Sequence, residues 1–250
     1  MTTPDPGAGL ARLDALITPG LQPADTGSRA AVAGWGMMLT VVHQARGVRV
    51  LHAAGQCHAA LPLLRSLTEY AMGTIWVADA GEDAVDVLNN RLQHSHGRLA
   101  RDMAGPGGID VEAAFPARLV TRFRSVLDAA LASHPDDRLT HFSSLLEEYG
   151  LGKMIPVYDV LSGFSHLSLS GAQAFSHDDL AGTTTLFLQP RKAEPVPCEA
   201  YSLGMYFDAM RAYNVLLEGR PWTEELASIA ADHGITAPLP GRVRRSASGA

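Results

Sequence analysis

The sequence predicts an all-α protein, a multi-helix bundle of about eight helices with at most one short strand. Two observations lead to this prediction. Apolar residues recur at spacings of three and four almost throughout the chain, which is the period of an amphipathic helix. Hydrophobic residues make up 46% of the 250 residues and charged residues only 18%. That balance indicates helices that are buried on more than one face.

The element boundaries follow from capping residues and from glycine and proline. Ser28 is suited to cap the first helix, Gly81 ends the second, and Pro156 is acceptable in the first turn of the sixth. Residues 182–197, GTTTLFLQPRKAEPVP, are β-branched and proline-punctuated, so we expect a loop with at most one short strand. The predicted helices cover approximately residues 28–45, 48–79, 83–103, 111–133, 139–149, 156–175, 199–217 and 223–233.

Both ends of the chain are predicted to be flexible tails around one helical domain. Residues 1–27 are rich in proline, glycine, threonine and aspartate. Residues 238–250, PLPGRVRRSASGA, combine the same character with a basic run. We expect a single helical domain over residues 28–237, because a chain of this length suffices for one large domain.

Net charge and cysteine content indicate the cellular compartment of the protein and the classes of partner that it can bind. The net charge of −6 disfavours a broad nucleic-acid-binding surface, so we expect no DNA partner. Cys57 and Cys198 form no CxxC pair, as expected for a protein of the reducing cytoplasm. No apolar run reaches the roughly 18 residues of a membrane span. We therefore expect a soluble cytoplasmic protein without a membrane partner.

The sequence contains no motif for a metal or an organic cofactor. Di-iron sites of the ferritin type need Glu-x-x-His pairs, and phosphate-binding loops of the P-loop or Rossmann kind need glycines at defined spacings. Neither pattern occurs in the chain. We therefore expect no metal site and no cofactor.

The segment HAALPLLRSLTEY on the second predicted helix places a charged pair beside a packing face. Arg65 and Glu69 are four residues apart, so they share one face of the helix and can form an ion pair. Pro62 cannot donate to the carbonyl of His58 and is expected to bend the helix there. The pair is either a surface salt bridge on a bent helix or a buried pair between His58 and Trp76.

A second segment, PVYDVLSGFSHLSLSGAQAFSH, is unusually rich in serine for a helix. From Val160 to His177 it contains no Asp, Glu, Lys or Arg, although exposed helical faces are normally built from such residues. We therefore expect a helix that is buried on both sides and is among the most buried in the protein. Its polar face is either a set of satisfied core groups or a polar pocket with His166 at its centre.

Together the two segments predict a polar internal site where the second and sixth helices cross. In this site Arg65 would hold an anion and His166 would move a proton. Whether the protein is an enzyme stays open at this stage. The predicted catalytic residues are His166, Glu69 and Tyr158, and the predicted substrate-binding residues are Arg65, Ser162, His58 and Ser165.

A third segment, NNRLQHSHGR, holds another arginine and histidine at short spacing. Arg91 and His96 are separated by four residues. His94 lies two residues before His96 and points to another side of a helix, so joint metal binding by the two histidines is not expected. A solvated helix face is the plain interpretation of this segment, and a functional Arg91–His96 pair is the alternative.

Two of these segments carry a resemblance to a family. LLRSLTEYAMGTIWVADAG on one helix, followed later by YDVLSGFSHLS, resembles an uncharacterised family of bacterial helical proteins over Leu51 to His177. That family has an Arg-x-x-x-Glu helix and a Tyr-x-x-x-Ser-x-x-x-His helix. The resemblance implies a helical fold and no particular activity.

A looser similarity is to the HEPN superfamily of helical nucleotide-binding and ribonuclease domains. Its active members have about four to six residues between an arginine and a following histidine, commonly across a dimer. The resemblance implies acid/base chemistry by the histidine on an RNA backbone, with the phosphate held by the arginine. Asp159 stands seven residues before His166 where that arginine would be needed, whereas Arg91 and His96 fit the spacing.

Three classes of function therefore compete. A HEPN-like RNA-processing or defence protein would act as a homodimer on RNA or a nucleotide. A small-molecule binder or enzyme would enclose a small anionic ligand near Arg65 and His166. A structural or interaction protein would instead have Arg65, Glu69 and His166 fully satisfied by one another.

Overall fold

The computed structural model describes residues 4–104, 136–166, 176–178, 184–186 and 196–243. For residues 96–104, 176–178 and 184–186 it describes the backbone alone. It confirms the all-α fold class. The α-helices in the described residues are α1 (Pro6–Ala15), α2 (Arg29–Ala53), α3 (Cys57–Ala80), α4 (Glu82–Ala104), α5 (Phe142–Glu148), α6 (Ile155–Ser165), α7 (Cys198–Tyr213) and α8 (Thr223–His233).

Several predicted caps lie at the helix ends. Ser28 Oγ accepts a hydrogen bond from the Ala31 N–H at 3.0 Å, which satisfies one of the free donors at the start of α2. Gly81 follows α3 with a φ of 61°, a left-handed value that favours glycine. α8 spans Thr223–His233, as the sequence predicted.

The boundary between α2 and α3 differs from the prediction. The sequence predicted a break near residues 46–47, but α2 continues to Ala53 and α3 begins at Cys57. The chain turns instead at Gly55, whose φ of 69° suits glycine. Gly47 lies inside α2 at a close approach to α3, where an added Cβ would stand 2.9 Å from Leu63 Cδ1.

Three helices, α2, α3 and α7, build the core by packing against one another. α3 is its central element, because residues 71–77 are all buried and this part of the helix is covered on every side. α6 packs on α3 through a smaller cluster that includes Leu161. The sequence predicted a packing face on α3 at Cys57, Leu61, Leu64, Ala71, Ile75 and Ala78. Four of the six are buried, whereas Cys57 and Ala78 are half-buried. None of the helices in the described part of the chain is long and apolar enough to cross a membrane.

The prediction of a flexible amino-terminal tail is wrong for residues 6–15, which form α1. Asp5 caps this helix by accepting a hydrogen bond from the Gly7 N–H at 2.9 Å. Leu10 and Leu13 are 1% and 0% exposed and belong to the main core, against α7. Because they are three residues apart, the two leucines form an apolar stripe on one face of the helix. Burial of this stripe stabilises the helix by more than the neighbouring glycine and proline destabilise it.

The prediction of a flexible carboxyl-terminal tail is wrong for residues 238–243. Arg242 Nη2 lies 2.9 Å from Asp136 Oδ2, and the Val243 N–H donates to the Glu148 carbonyl at 2.8 Å. These contacts hold the segment against the end of α5. Arg242 is therefore an ion-pair partner of the domain rather than part of a solvated basic run, and residues 244–250 lie outside the described residues.

α6 is shorter and more exposed than predicted. It ends at Ser165, whereas the sequence predicted a helix to residue 175. Of its eleven residues only Leu161 is buried, so the expectation of one of the most buried helices is wrong for this part. Serine can bond to its own helix instead of marking burial, and Ser165 Oγ donates to the Leu161 carbonyl at 2.7 Å. Residues 167–175 and the predicted fourth helix, 111–133, lie outside the described residues.

Two short strands occur where the sequence predicted at most one. β1 (Ser176–Asp178) and β2 (Thr184–Leu186) pair antiparallel, with His177 opposite Thr185. The backbone N–H and C=O groups of a strand need hydrogen-bond partners, so β2 pairs with a second extended segment. Three short 3₁₀ helices complete the described elements at Asp137–Thr140, Gly152–Met154 and Asn214–Leu216.

Glu82 joins the start of α4 to the start of α2. Its Oε1 accepts a hydrogen bond from the Ala30 N–H at 3.0 Å, and its Oε2 accepts one from Arg29 Nε at 2.7 Å. The backbone hydrogen bond, followed by the contribution of Arg29, lowers the pKa of the Glu82 carboxyl. The ionised carboxylate therefore acts as a cap for α2.

We expect Glu82→Gln to destabilise the protein at neutral pH and to have little effect in acid. A carboxyl whose pKa is lowered by folding contributes stability above its unfolded pKa of about 4.3. That contribution is lost as the pH falls through the folded pKa. Urea denaturation of the wild type and the variant at neutral pH and near pH 3 measures the difference. An equal loss at both pH values would show that ionised Glu82 is not its source.

Candidate functional site

Arg65, Glu69 and Tyr158 come together where α6 packs on α3. Arg65 and Glu69 form the predicted ion pair, with Arg65 Nη2 3.0 Å from Glu69 Oε1. The Tyr158 hydroxyl donates to Glu69 Oε1 at 2.5 Å and accepts from Arg65 Nη2 at 3.0 Å. The three groups close a polar triangle, which we call the Arg65–Glu69–Tyr158 network. α3 supplies two of them because side chains four residues apart share a helix face.

The network is half-buried. The Arg65 and Glu69 side chains are 25% and 35% exposed, so the pair lies between the two alternatives that the sequence left open. The Tyr158 ring covers one side of the pair, with its centroid 5.4 Å from the Arg65 guanidinium carbon. The same ring packs at 4.3 Å against the ring of Phe142 at the start of α5. Three helices therefore meet at this network.

Tyr158 is a hydrogen-bond donor in this arrangement. Partial burial raises the pKa of its hydroxyl, the acceptor Glu69 raises it further, and Arg65 offsets part of the rise. A phenol with a raised pKa stays neutral at physiological pH, and its proton lies on the hydrogen bond to the Glu69 carboxylate. The network is therefore better suited to fixing the position of α6 and of the carboxylate than to removing a proton from a substrate.

Two buried polar atoms beside the network have no hydrogen-bond partner among the described residues: Arg65 Nε and Ser162 Oγ. Tyr158 and Ser162 are four residues apart and share a face of α6. Buried polar groups are normally paired. These two atoms are therefore unsatisfied polar groups in the packing of α6 on α3.

The other predicted site residues are not part of the network. The His58 ring packs edge-on against Phe164 at a centroid distance of 5.1 Å. The Ser165 hydroxyl bonds back to its own helix. His166 is exposed at the end of α6, and within the described residues no hydrogen bond or ion pair joins its side chain to Arg65 or Glu69.

A cavity of about 320 Å³ lies beside the network, between α3, α4 and α5, and is partly open to solvent. Glu69 belongs to both, and Phe142 lines the cavity while its ring packs on the Tyr158 ring. The remaining apolar lining residues are Met37, Trp76, Leu88, Leu139 and Leu145. The remaining lining residues are Tyr70, Gly73, Arg91 and Thr140.

The sequence analysis missed this cavity. Most of its lining residues follow the ordinary apolar period of core helices, and nothing in that period separates a packed face from an open one. The sequence held two indications of it. Trp76 lies on the same helix stripe as Arg65 and Glu69, and no Asp or Glu stands three or four residues from Arg91 on α4. The side chain of His96, the second member of the Arg91–His96 pair, lies outside the described residues.

Among the described residues, the charged groups of the network and the cavity lining are the Glu69 carboxylate and the guanidinium groups of Arg65 and Arg91, and hydroxyls lie beside them. Among the described residues, no group of three or more His, Cys, Asp or Glu side chains is arranged to hold a metal ion. The chemistry that these residues support is hydrogen bonding and charge pairing next to an apolar wall.

We expect a double-mutant cycle on Tyr158→Phe and Glu69→Gln to give a coupling energy of about 0.5–1.5 kcal/mol, because the two side chains share a hydrogen bond to an ionised acceptor. Urea denaturation of the four proteins measures it. Tyr149→Phe is the matched control, because its hydroxyl donates to Asp79 at 2.8 Å, ten residues further along α3 or about 15 Å at the helical rise. Tyr149→Phe and Glu69→Gln should be additive. Additivity in the first cycle as well would contradict the network.

A protein-family model matches more than half of the chain. The model of DUF5677, described as a family of unknown function, matches residues 33–182. This range includes the Arg65–Glu69–Tyr158 network and the α3 and α4 walls of the cavity. No curated protein and no solved structure matches the chain.

Proposed function

Since the chain belongs to DUF5677, a family of unknown function, we propose its function from the site itself: it binds a small molecule in the cavity between α3, α4 and α5. One observation carries the proposal. A largely apolar cavity of about 320 Å³ has a polar network at its edge, and Glu69 is a member of both. Ligand sites combine an apolar wall with a few fixed polar groups, and this volume is at the small end of their range.

The residues have different roles in this proposal. Met37, Trp76 and Leu88 cover the apolar body of the ligand. The network holds the Glu69 carboxylate at a fixed place on the cavity edge, because Glu69 Oε1 is bound by both Arg65 and Tyr158. Preorganised polar groups lower the cost of binding.

The substrate-binding role of Arg65 and Ser162 stays a prediction outside this proposal, because each has a buried polar atom without a partner among the described residues but neither lines the cavity. No role is assigned to His58, Ser165 and His166, because none of them lines the cavity. The proposal is a binding function, and it assigns no reaction to the Glu69 carboxylate or the Tyr158 hydroxyl.

A cavity-filling variant and a matched control test the proposal. Leu88 lines the cavity, whereas Leu92, one helical turn further along α4, is 44% exposed and does not line it. In a fragment screen by ligand-observed NMR, we expect binders to the wild type that are lost in Leu88→Trp and kept in Leu92→Trp. Thermal unfolding checks that both variants are folded.

The proposal fails if the wild type binds no fragment, or if binders survive in Leu88→Trp. The first result would indicate a cavity that serves packing alone. The second would place binding elsewhere on the protein. If Leu88→Trp does not fold, Thr140→Trp, on the 3₁₀ helix Asp137–Thr140 that also lines the cavity, takes its place.

A HEPN-like function on RNA, with a homodimer in the cytoplasm, is the second candidate. The observation in its favour is Arg91, which is exposed and has no ion-pair partner among the described residues. We expect purified protein to cleave RNA weakly or not at all, because its net charge is −6 and Asp159 stands where an arginine would pair with His166. Cleavage of a labelled RNA that Arg91→Ala or His96→Ala abolishes would reverse this preference.

A further inference from the structure

The charges on the cavity lining are not balanced. Glu69 is the acidic residue among the described lining residues, and Arg65 lies 3.0 Å from its Oε1. The Tyr158 hydroxyl donates to the same oxygen. The charge of Glu69 is therefore largely neutralised from within the network before any ligand enters.

Arg91 is the lining charge that remains. It lies on α4 at the cavity and is exposed, and no hydrogen bond or ion pair joins it to another described residue. Arg29, one of the arginines nearest α4, instead binds both Glu82 and Asp86. A guanidinium at the edge of an apolar wall suits an organic anion, because the planar group can bind a carboxylate or phosphate with two hydrogen bonds.

Resting on the proposed function, we infer that the ligand is a small organic anion, with its apolar body in the cavity and its carboxylate or phosphate group on Arg91. The body contacts the walls formed by Trp76, Leu88 and Phe142. The anionic group stays at the mouth, where Arg91 is exposed and the group keeps part of its hydration. Desolvation of the anion therefore costs less than in an enclosed cavity.

A cationic ligand is the opposite case. Aromatic rings such as those of Trp76 and Phe142, with a carboxylate beside them, can also bind an ammonium group. Here, however, Arg65 already compensates Glu69, while Arg91 has no compensating anion among the described residues. An ammonium group would meet a net repulsion, so the anion is favoured.

Four probes with the same phenyl body test the inference by isothermal titration calorimetry on the full chain: phenylacetate, phenyl phosphate, phenylacetamide and phenethylamine. We expect at least one of the two anions to bind about tenfold or more tightly than the neutral amide, and the amine to bind most weakly. Arg91→Gln should reduce the preference for the anion over the amide to near one. Arg91→Lys should keep part of it, because the charge remains and the two-hydrogen-bond geometry is lost.

Arg220→Gln is the matched control, since it removes the same charge from an exposed arginine that does not line the cavity. It should leave all four affinities unchanged. Equal binding of amide and anion, or an anion preference that survives in Arg91→Gln, would overturn the inference and leave the binding function in place. Tighter binding of the amine would assign the polar contact to Glu69 instead. Absence of binding by all four probes, together with no hit in the fragment screen, would overturn the proposed function itself.

Discussion

Leu161→Ala is expected to lower the free energy of unfolding by about 2–5 kcal/mol, the range for truncating a fully buried leucine. Leu161 is 0% exposed and is the buried residue of α6. It packs in the smaller core cluster with Leu61 and Leu64 of α3. Leu161 is therefore the fully buried apolar anchor of α6 on α3, beside the half-buried Val157 and Phe164. Urea denaturation measures the loss.

The substitution should also loosen the candidate site. Tyr158 lies three residues before Leu161 on α6, so a helix that no longer docks cannot hold its hydroxyl on Glu69. Hydrogen exchange of the amides of residues 155–165 should become faster by more than exchange in the buried part of α3. Coupling between Tyr158 and Glu69 should fall toward zero in the same background.

Val160→Ala is the control for this substitution, because Val160 is the preceding residue of α6 and is 41% exposed. Its effect should stay within about 0.5 kcal/mol, as for surface substitutions in general. Similar losses from both variants would contradict the role of Leu161 as the buried apolar anchor of α6. They would indicate that α6 is held by contacts other than Leu161.

Helices whose signals are local could be predicted from the sequence. The cap at Ser28, the stop at Gly81 and the period of α8 depend on residues within one or two turns, and the structure has all three. The pairing of Arg65 with Glu69 is of the same kind, since it needs only a helix and a spacing of four.

The position of His166 could not be obtained in this way. The helical period was extended past Ser165, and it placed His166 on the face of Tyr158 and Ser162. α6 ends one residue earlier, so the period no longer applies to His166, and its side chain is exposed. An error in one helix end thus removed a residue from the predicted site, while Tyr158, two turns inside the helix, kept its predicted place.

The cavity depends on contacts that no local pattern contains. Met37, Leu88 and Leu145 come from three different helices, and each reads in the sequence as an ordinary core residue. A cavity appears only where the packed helices leave space between such residues. The same holds for α1, because its two buried leucines stabilise the helix only through their packing against α7.

Leu13→Ala is expected to lower the free energy of unfolding by about 2–5 kcal/mol, although the sequence places Leu13 in a segment with the composition of a tail. Leu13 is 0% exposed and belongs to the main core with residues of α7. Next to it on α1, Asp14 accepts hydrogen bonds from Tyr206 of α7 at 3.2 Å and from Arg49 of α2 at 3.3 Å. Loss of the leucine should therefore weaken polar contacts as well as apolar ones.

Val32→Ala on α2 serves as the control, because Val32 is 71% exposed and alanine is the better helix former. It should change stability by no more than about 0.5 kcal/mol. Deletion of residues 1–16 should cost at least as much as Leu13→Ala, because it removes the whole docked helix. If Leu13→Ala and the deletion both leave the urea midpoint unchanged, α1 does not contribute to the core. A loss in Leu13→Ala that matches the deletion would instead show that the docking energy of α1 rests mainly on this one side chain.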